Sequence, residues 1–165
     1  MSGPDSLKEI YHDELADLWS ANDQMAKVLG RLAGKVQDET LKDLFENSVS
    51  GISGHTATIK ALLEAGGGEV AKEHCKGMEG LVKEAIKHGE EEAPEDDDLQ
   101  AIVLIAQYQR MSHYGIAGFG SASAYAAALG RQDDVKKLKG IVADIYKADN
   151  YTSKLGEKLA KTAGK

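Results

Sequence analysis

A few polar residues interrupt the apolar stripes of this chain, and these are the side chains placed to do chemistry inside it. Asn22 falls between Leu18 and Met25; Ser48 and His55 share a stripe with Leu41 and Ile52; Gln109 and His113 follow Ile102 and Ala106; Asp149 and Thr152 follow Val142 and Ile145. A histidine and a carboxylate on facing helices can bind a metal or simply satisfy one another. For His113 and Asp149 the expectation is a buried hydrogen-bonded pair rather than a ligand set. His55 reads as a boundary side chain, and His12, His74 and His88 read as surface or loop residues. A dinuclear carboxylate centre needs an inward Glu from several helices, and the stripes supply none at mid-helix.

Other chemistries find less support. No nucleophile elbow, papain-like pairing, phosphate loop or dinucleotide fingerprint is present. The run Gly115-Ile116-Ala117-Gly118-Phe119-Gly120 lies within a helical pattern with no strand before it, and reads as a device for close helix packing. The acidic stretch from Glu90 to Asp98 lacks the loop spacing of a calcium site and reads as solvated. Cys75, the one cysteine, excludes an internal disulfide and reads as a structural thiol despite Lys72 and Lys76 nearby.

Long helices must position these residues. Apolar residues three or four apart run from Leu7 to Leu32, then from about Asp38 through Ile59 and Leu62 to Ala65, where Gly66, Gly67 and Gly68 end the pattern. A third helix is expected over Leu99 to Leu129 with Gly130 as its stop, and a fourth from Asp133 through Leu159. Residues 66–98 read as a crossover carrying one short helix around Met78 to Ile86. The fold expected is all-α: a ferritin-like four-helix bundle with a long connection between its second and third helices. One domain spans 1–165, with a core of about 6–160 and a flexible tail over 160–165.

Composition sets limits on partners. Lys and Arg number 20 against 27 Asp and Glu, a net charge of −7, which disfavours nucleic acid. No apolar run is long enough to span a bilayer, and the first residues lack the pattern of an export signal. A cytoplasmic setting with no membrane partner is expected. Only 2 residues are proline, which suits long helices, yet 18 of 165 are glycine, above the usual share of roughly 7%.

Four segments, LKEIYHDELADLWSANDQM, CKGMEGLVKEA, AQYQRMSHYGIAGFG and LKGIVADIYKADNYTSKL, resemble the YciF/YciE-type ferritin-like stress-protein family. The similarity runs from about Leu7 to Leu159. It implies a four-helix bundle with an extra short helix, a tendency to dimerise, a dinuclear metal centre in typical members and an association with bacterial stress. The metal site does not carry over. Where the family places Glu or Glu-rich runs, this chain has Asn22, the stretch Ser48 to Ile52, the stretch Ser112 to Gly115, and the stretch Ala143 to Asp149. Only His113, Asp149 and Asp144 remain as donors if any metal binds, so no cofactor is expected, the alternative being iron or another divalent metal at low occupancy.

Two Gly-for-Glu exchanges remove on the order of 100 Å³ of side chain. The expected consequence is a core repacked by Ile52, Ile145 and Tyr146, in a metal-free and non-enzymatic homodimer that works as a structural or interaction module. The alternative is a small-molecule pocket lined by Asn22, Ser48, Gly51, Ser112, Gly115, His113 and Tyr146. A second alternative is a residual metal-dependent oxidase or peroxide scavenger.

Overall fold

The computed structural model describes residues 2–165 and contains five helices: α1 (Leu7–Ala33), α2 (Glu39–Ala65), α3 (Lys76–Ile86), α4 (Asp97–Ala128) and α5 (Gln132–Ala163). Short polar side chains start them. Ser6 accepts from the Glu9 amide, Asp38 from Leu41 at 2.8 Å, and Asp96 from Leu99 at 2.9 Å. Each satisfies an amide that has no partner within its helix. The end of the acidic stretch is therefore a helix cap. Its start has a partner too: the Glu90 carboxylate accepts from Arg31 Nε at 2.6 Å, which holds Glu90 below the usual carboxylate range.

Gly67 and Gly130 lie in left-handed backbone (φ 72° and 73°) just past α2 and α4, where a side chain would strain the turn. A wide π-helical turn, Lys87–Glu91, follows α3. At its centre Gly89 is wedged so tightly that a Cβ would lie 2.6 Å from Leu104 Cδ2 and 2.8 Å from Leu32 Cδ2. α5 continues to Ala163, through the segment read from the sequence as a tail. Leu155 and Leu159 keep the helical apolar spacing, and Leu159 is buried.

α1 pairs with α2 and α4 with α5. The two hairpins join mainly through α1 against α4, with α3 lying across that junction, whereas α2 and α5 touch only sparsely. The crossover is tied down before α3 by the Glu73 amide donating to the Ala16 carbonyl at 3.1 Å and by His12 Nε2 meeting the Glu69 carbonyl at 2.6 Å. Two apolar clusters form, one around Leu29, Phe45, Met78 and Leu104, the other around Leu15, Ile59, Phe119 and Leu138. Among the described residues no helix is long and apolar enough to cross a membrane.

The glycine-rich part of α4 is divided in use. Gly118, Ala122, Ser123 and Ala126 are buried within the chain, whereas Gly120, Ala124, Ala127 and Ala128 are exposed.

Candidate functional site

Between the helices, near the middle of the bundle, lies a cavity of about 270 Å³. All five helices contribute to its wall, through Asn22 and Met25 of α1, Ser48 and Gly51 of α2, Met78 of α3, Met111 and Ser112 of α4, and Ile145 of α5. It opens towards the sparse α2–α5 junction.

The amide of Asn22 has a determined orientation. Thr56 gives its hydroxyl hydrogen to the Ile52 carbonyl at 3.0 Å, so its oxygen must accept from Asn22 Nδ2 at 3.2 Å. The Asn22 carbonyl oxygen is left without a protein donor among the described residues, on a side chain only 7% exposed. Across the cavity the Tyr108 and Ser48 hydroxyls lie 2.8 Å apart, and the Tyr108 ring stacks on Phe45 at 5.7 Å. Burial raises the Tyr108 phenol above its ordinary pKa, against the lowering effect of Ser48 and Ser112, and keeps it protonated.

The two glycines that the resemblance sets at or beside carboxylate positions behave differently. A Cβ on Gly115 would lie 3.3 Å from Ile145 Cδ1, so Ile145 packs closely against Gly115. A Cβ on Gly51 would meet nothing within 4 Å. Repacking is therefore partial: Ile52 and Ile145 fill part of the centre, and the cavity occupies the rest. Tyr146 does not join them. It is 46% exposed and, like His113, absent from the wall, while the other five residues read as a pocket lie on it.

The residual metal donors are scattered. His113 Nε2 lies 3.1 Å from Asp149 Oδ1, but the His113 side chain is 54% exposed and faces outward, correcting its placement on the inner stripe. Asp149 also accepts from Gln109 Nε2 at 3.1 Å, and Gln109 reaches Ser153 Oγ at 2.8 Å, so Asp149 is held in a hydrogen-bonded cluster between α4 and α5. Asp144 is elsewhere, 3.0 Å from His55 Nε2 at the cavity rim. Among the described residues no three His, Cys, Asp or Glu side chains converge as a metal site. The cavity wall holds one carboxylate and one imidazole, already paired. Two divalent cations would bring about four positive charges to groups that offer one. The residues present do not fit the dinuclear centre.

A second polar cluster, not legible from the stripes, links α1, α3 and α4. The Met78 amide donates to Cys75 Sγ at 3.3 Å, Cys75 Sγ donates to Tyr114 Oη at 3.0 Å, and Tyr114 donates to Asp17 Oδ2 at 2.7 Å. Cys75 is thus the cap of α3 and fully buried. Burial raises its thiol pKa, as it does that of the Tyr114 phenol, which its Cys75 and Asp17 hydrogen bonds raise further. Nearby, Glu14 is partly buried, and burial together with the Asp17 charge raises its carboxyl. It is the inward-leaning Glu that the stripes did not reveal.

The profile of the family described as Domain of unknown function (DUF892) matches residues 6–164. This chain belongs to the DUF892 family. It is 28% identical over 135 residues to Protein YciF of Escherichia coli (strain K12), covering 81% of this chain and 80% of that protein. The crystal structure of the E. coli stress protein YciF superposes with a TM-score of 0.89 at 25% identity, over 96% of this chain and 99% of the other. YcfI from Rhodopseudomonas palustris shares the fold, with a TM-score of 0.85 at 21% identity over 93% of this chain and 98% of that one. This DUF892 protein is therefore a YciF-like helical bundle whose centre carries a cavity.

Proposed function

We propose that this DUF892 protein is a metal-free, non-enzymatic, stress-associated module that works by holding a small molecule in the centre of its bundle. The observation that carries the proposal is the cavity of about 270 Å³ walled by all five helices, with the exposed Gly51 at its rim. A glycine in a helix interior costs about 1 kcal/mol relative to alanine. At Gly51 no close contact offsets that cost, and the residue leaves the cavity rim without a side chain. A cavity walled mainly by apolar groups with a few convergent polar ones has the make-up of a small-ligand site. The association with stress rests on likeness to the E. coli stress protein YciF.

Elemental analysis of protein refolded with iron, manganese and zinc tests the metal-free part. The expected content is far below one ion per chain, and a stoichiometric metal overturns it. Xenon-pressurised crystals test the cavity. Xenon density between Gly51 and Met111 is expected, and a centre that stays closed overturns the binding role.

A second reading, assembly as a homodimer, is favoured by Tyr146 and Tyr151. Both lie on α5 and are 46% and 52% exposed. Light scattering at micromolar concentration, on the native chain and on a Tyr146→Ser/Tyr151→Ser double variant, tests it. A dimer that the double variant loses is the expected result.

A further inference from the structure

The cavity wall is chemically uneven, and the unevenness specifies an occupant. Met25, Met78 and Met111 all lie on it, every methionine of the chain apart from the first. They come from three different helices, and all are buried. Thioethers are flexible and polarizable, adapt to flat rings and make favourable contacts with them. The hydroxyls of the two tyrosines on the wall are engaged, Tyr108 with Ser48 and Tyr114 with Asp17. No Lys or Arg lines the cavity, and its one carboxylate, Asp144, meets His55 at the rim.

These facts exclude as well as select. An anion would lose its hydration with no cation to meet it, which is costly in an apolar site. A wholly apolar molecule would cover the Asn22 carbonyl oxygen without giving it a donor, at the cost of an unsatisfied buried polar group. The volume sets the size. A cavity of roughly 150 Å³ accommodates benzene, and about 270 Å³ leaves room for a second fused ring.

We propose that the bundle centre binds a neutral two-ring aromatic molecule bearing one hydrogen-bond donor, the chemistry of a naphthol or an indole. Its rings pack on Met25, Met78 and Met111, and its O–H or N–H donates to Asn22 Oδ1. Entry is between α2 and α5, past Gly51 and the His55–Asp144 pair. This assignment rests on the binding role proposed above and adds the ligand class to it.

Titration calorimetry on the full chain with β-naphthol, naphthalene and naphthalene-β-sulfonate is the test. β-Naphthol should bind, naphthalene should bind about tenfold more weakly for want of the hydrogen bond, and the sulfonate should not bind. Gly51→Leu should abolish β-naphthol binding. Its side chain enters open space, so an unchanged helical spectrum and unfolding midpoint are expected. Asn22→Leu should remove the preference for β-naphthol over naphthalene. Equal binding of β-naphthol and naphthalene by the native chain, or binding of the sulfonate, overturns the ligand class. Unimpaired β-naphthol binding by the Gly51→Leu variant overturns the location. Xenon entry without β-naphthol binding overturns the ligand class alone, whereas exclusion of both overturns the binding role with it.

Discussion

The α1–α4 and α2–α5 junctions use glycine for opposite ends. At the first, Gly118 lets α4 come so close to α1 that a Cβ would stand 2.5 Å from Leu18 Cδ2 and 3.0 Å from Glu14 Oε1. The propensity cost of that glycine is offset by the contact with the fully buried Leu18. At the second, Gly51 meets nothing within 4 Å, and the nearest cross-link is a pair between His55 and the 69% exposed Asp144. The first junction also carries the Cys75–Tyr114–Asp17 chain of hydrogen bonds. Cohesion of the hairpins is thus concentrated on one side of the bundle, and this lets the other side stand open around a cavity without unfolding the whole.

Substitution of the two glycines tests this contrast most strongly. Gly118→Val should destabilise the protein by about 3 kcal/mol, the upper part of the usual range for overpacking, because Leu18 is held against other core side chains and has little room to move. Gly51→Val should change stability by no more than about 0.5 kcal/mol, since its side chain enters free space. Urea denaturation followed by circular dichroism reads both, and equal losses would abolish the distinction.

Tyr114→Phe comes next, with an expected loss of about 2 kcal/mol, because the Asp17 carboxylate and the buried thiol both lose their partner. Its pH dependence has a defined sign. The folded-state phenol titrates above its unfolded value, so its contribution is complete below the unfolded pKa of about 10 and fades as pH rises through the folded one. The native protein should weaken in alkali, and the variant should show a smaller decline above pH about 10. Cys75 reports on the same junction. Buried and with its thiol pKa raised, it should resist iodoacetamide in the folded protein and react on unfolding, as mass spectrometry of the labelled chain would show.

What the sequence disclosed follows the same division. Helix limits were legible where the signals are local: the apolar pattern begins at Leu7 and near Asp38, and Gly66 to Gly68 and Gly130 end helices, whereas Asp96, which caps α4, was hidden in the acidic stretch read as solvated. Asn22, Ser48, Gly51, Ser112 and Gly115 were legible as one group because each lies on an inward stripe or beside a family carboxylate position. Tyr146 and His113 were misplaced by a single step. Each follows a wall residue, Ile145 or Ser112, and one residue along a helix is a rotation of about 100°, enough to turn a side chain from cavity to solvent. Met78 could not be assigned to the cavity, because α3 is docked by a crossover whose path has no periodicity. The Tyr114–Asp17 contact was hidden for a related reason: it lies where two stripes meet, and neither stripe alone specifies the partner.

Gly51→Ala should produce a small shift of opposite sign to the losses above, and it separates backbone cost from cavity function. Alanine removes the helix penalty of glycine, so the variant should be more stable than the native protein by up to about 1 kcal/mol, with a higher urea midpoint and an unchanged slope. A single methyl at the rim adds little volume beside about 270 Å³, so xenon entry and β-naphthol binding should persist. If Gly51→Ala instead destabilises the chain, the space beside Gly51 is needed for packing, and the contrast between the two junctions fails at its centre. A stabilised variant that still binds shows that the closed α1–α4 junction secures the fold and that the open one tolerates a methyl group at its rim.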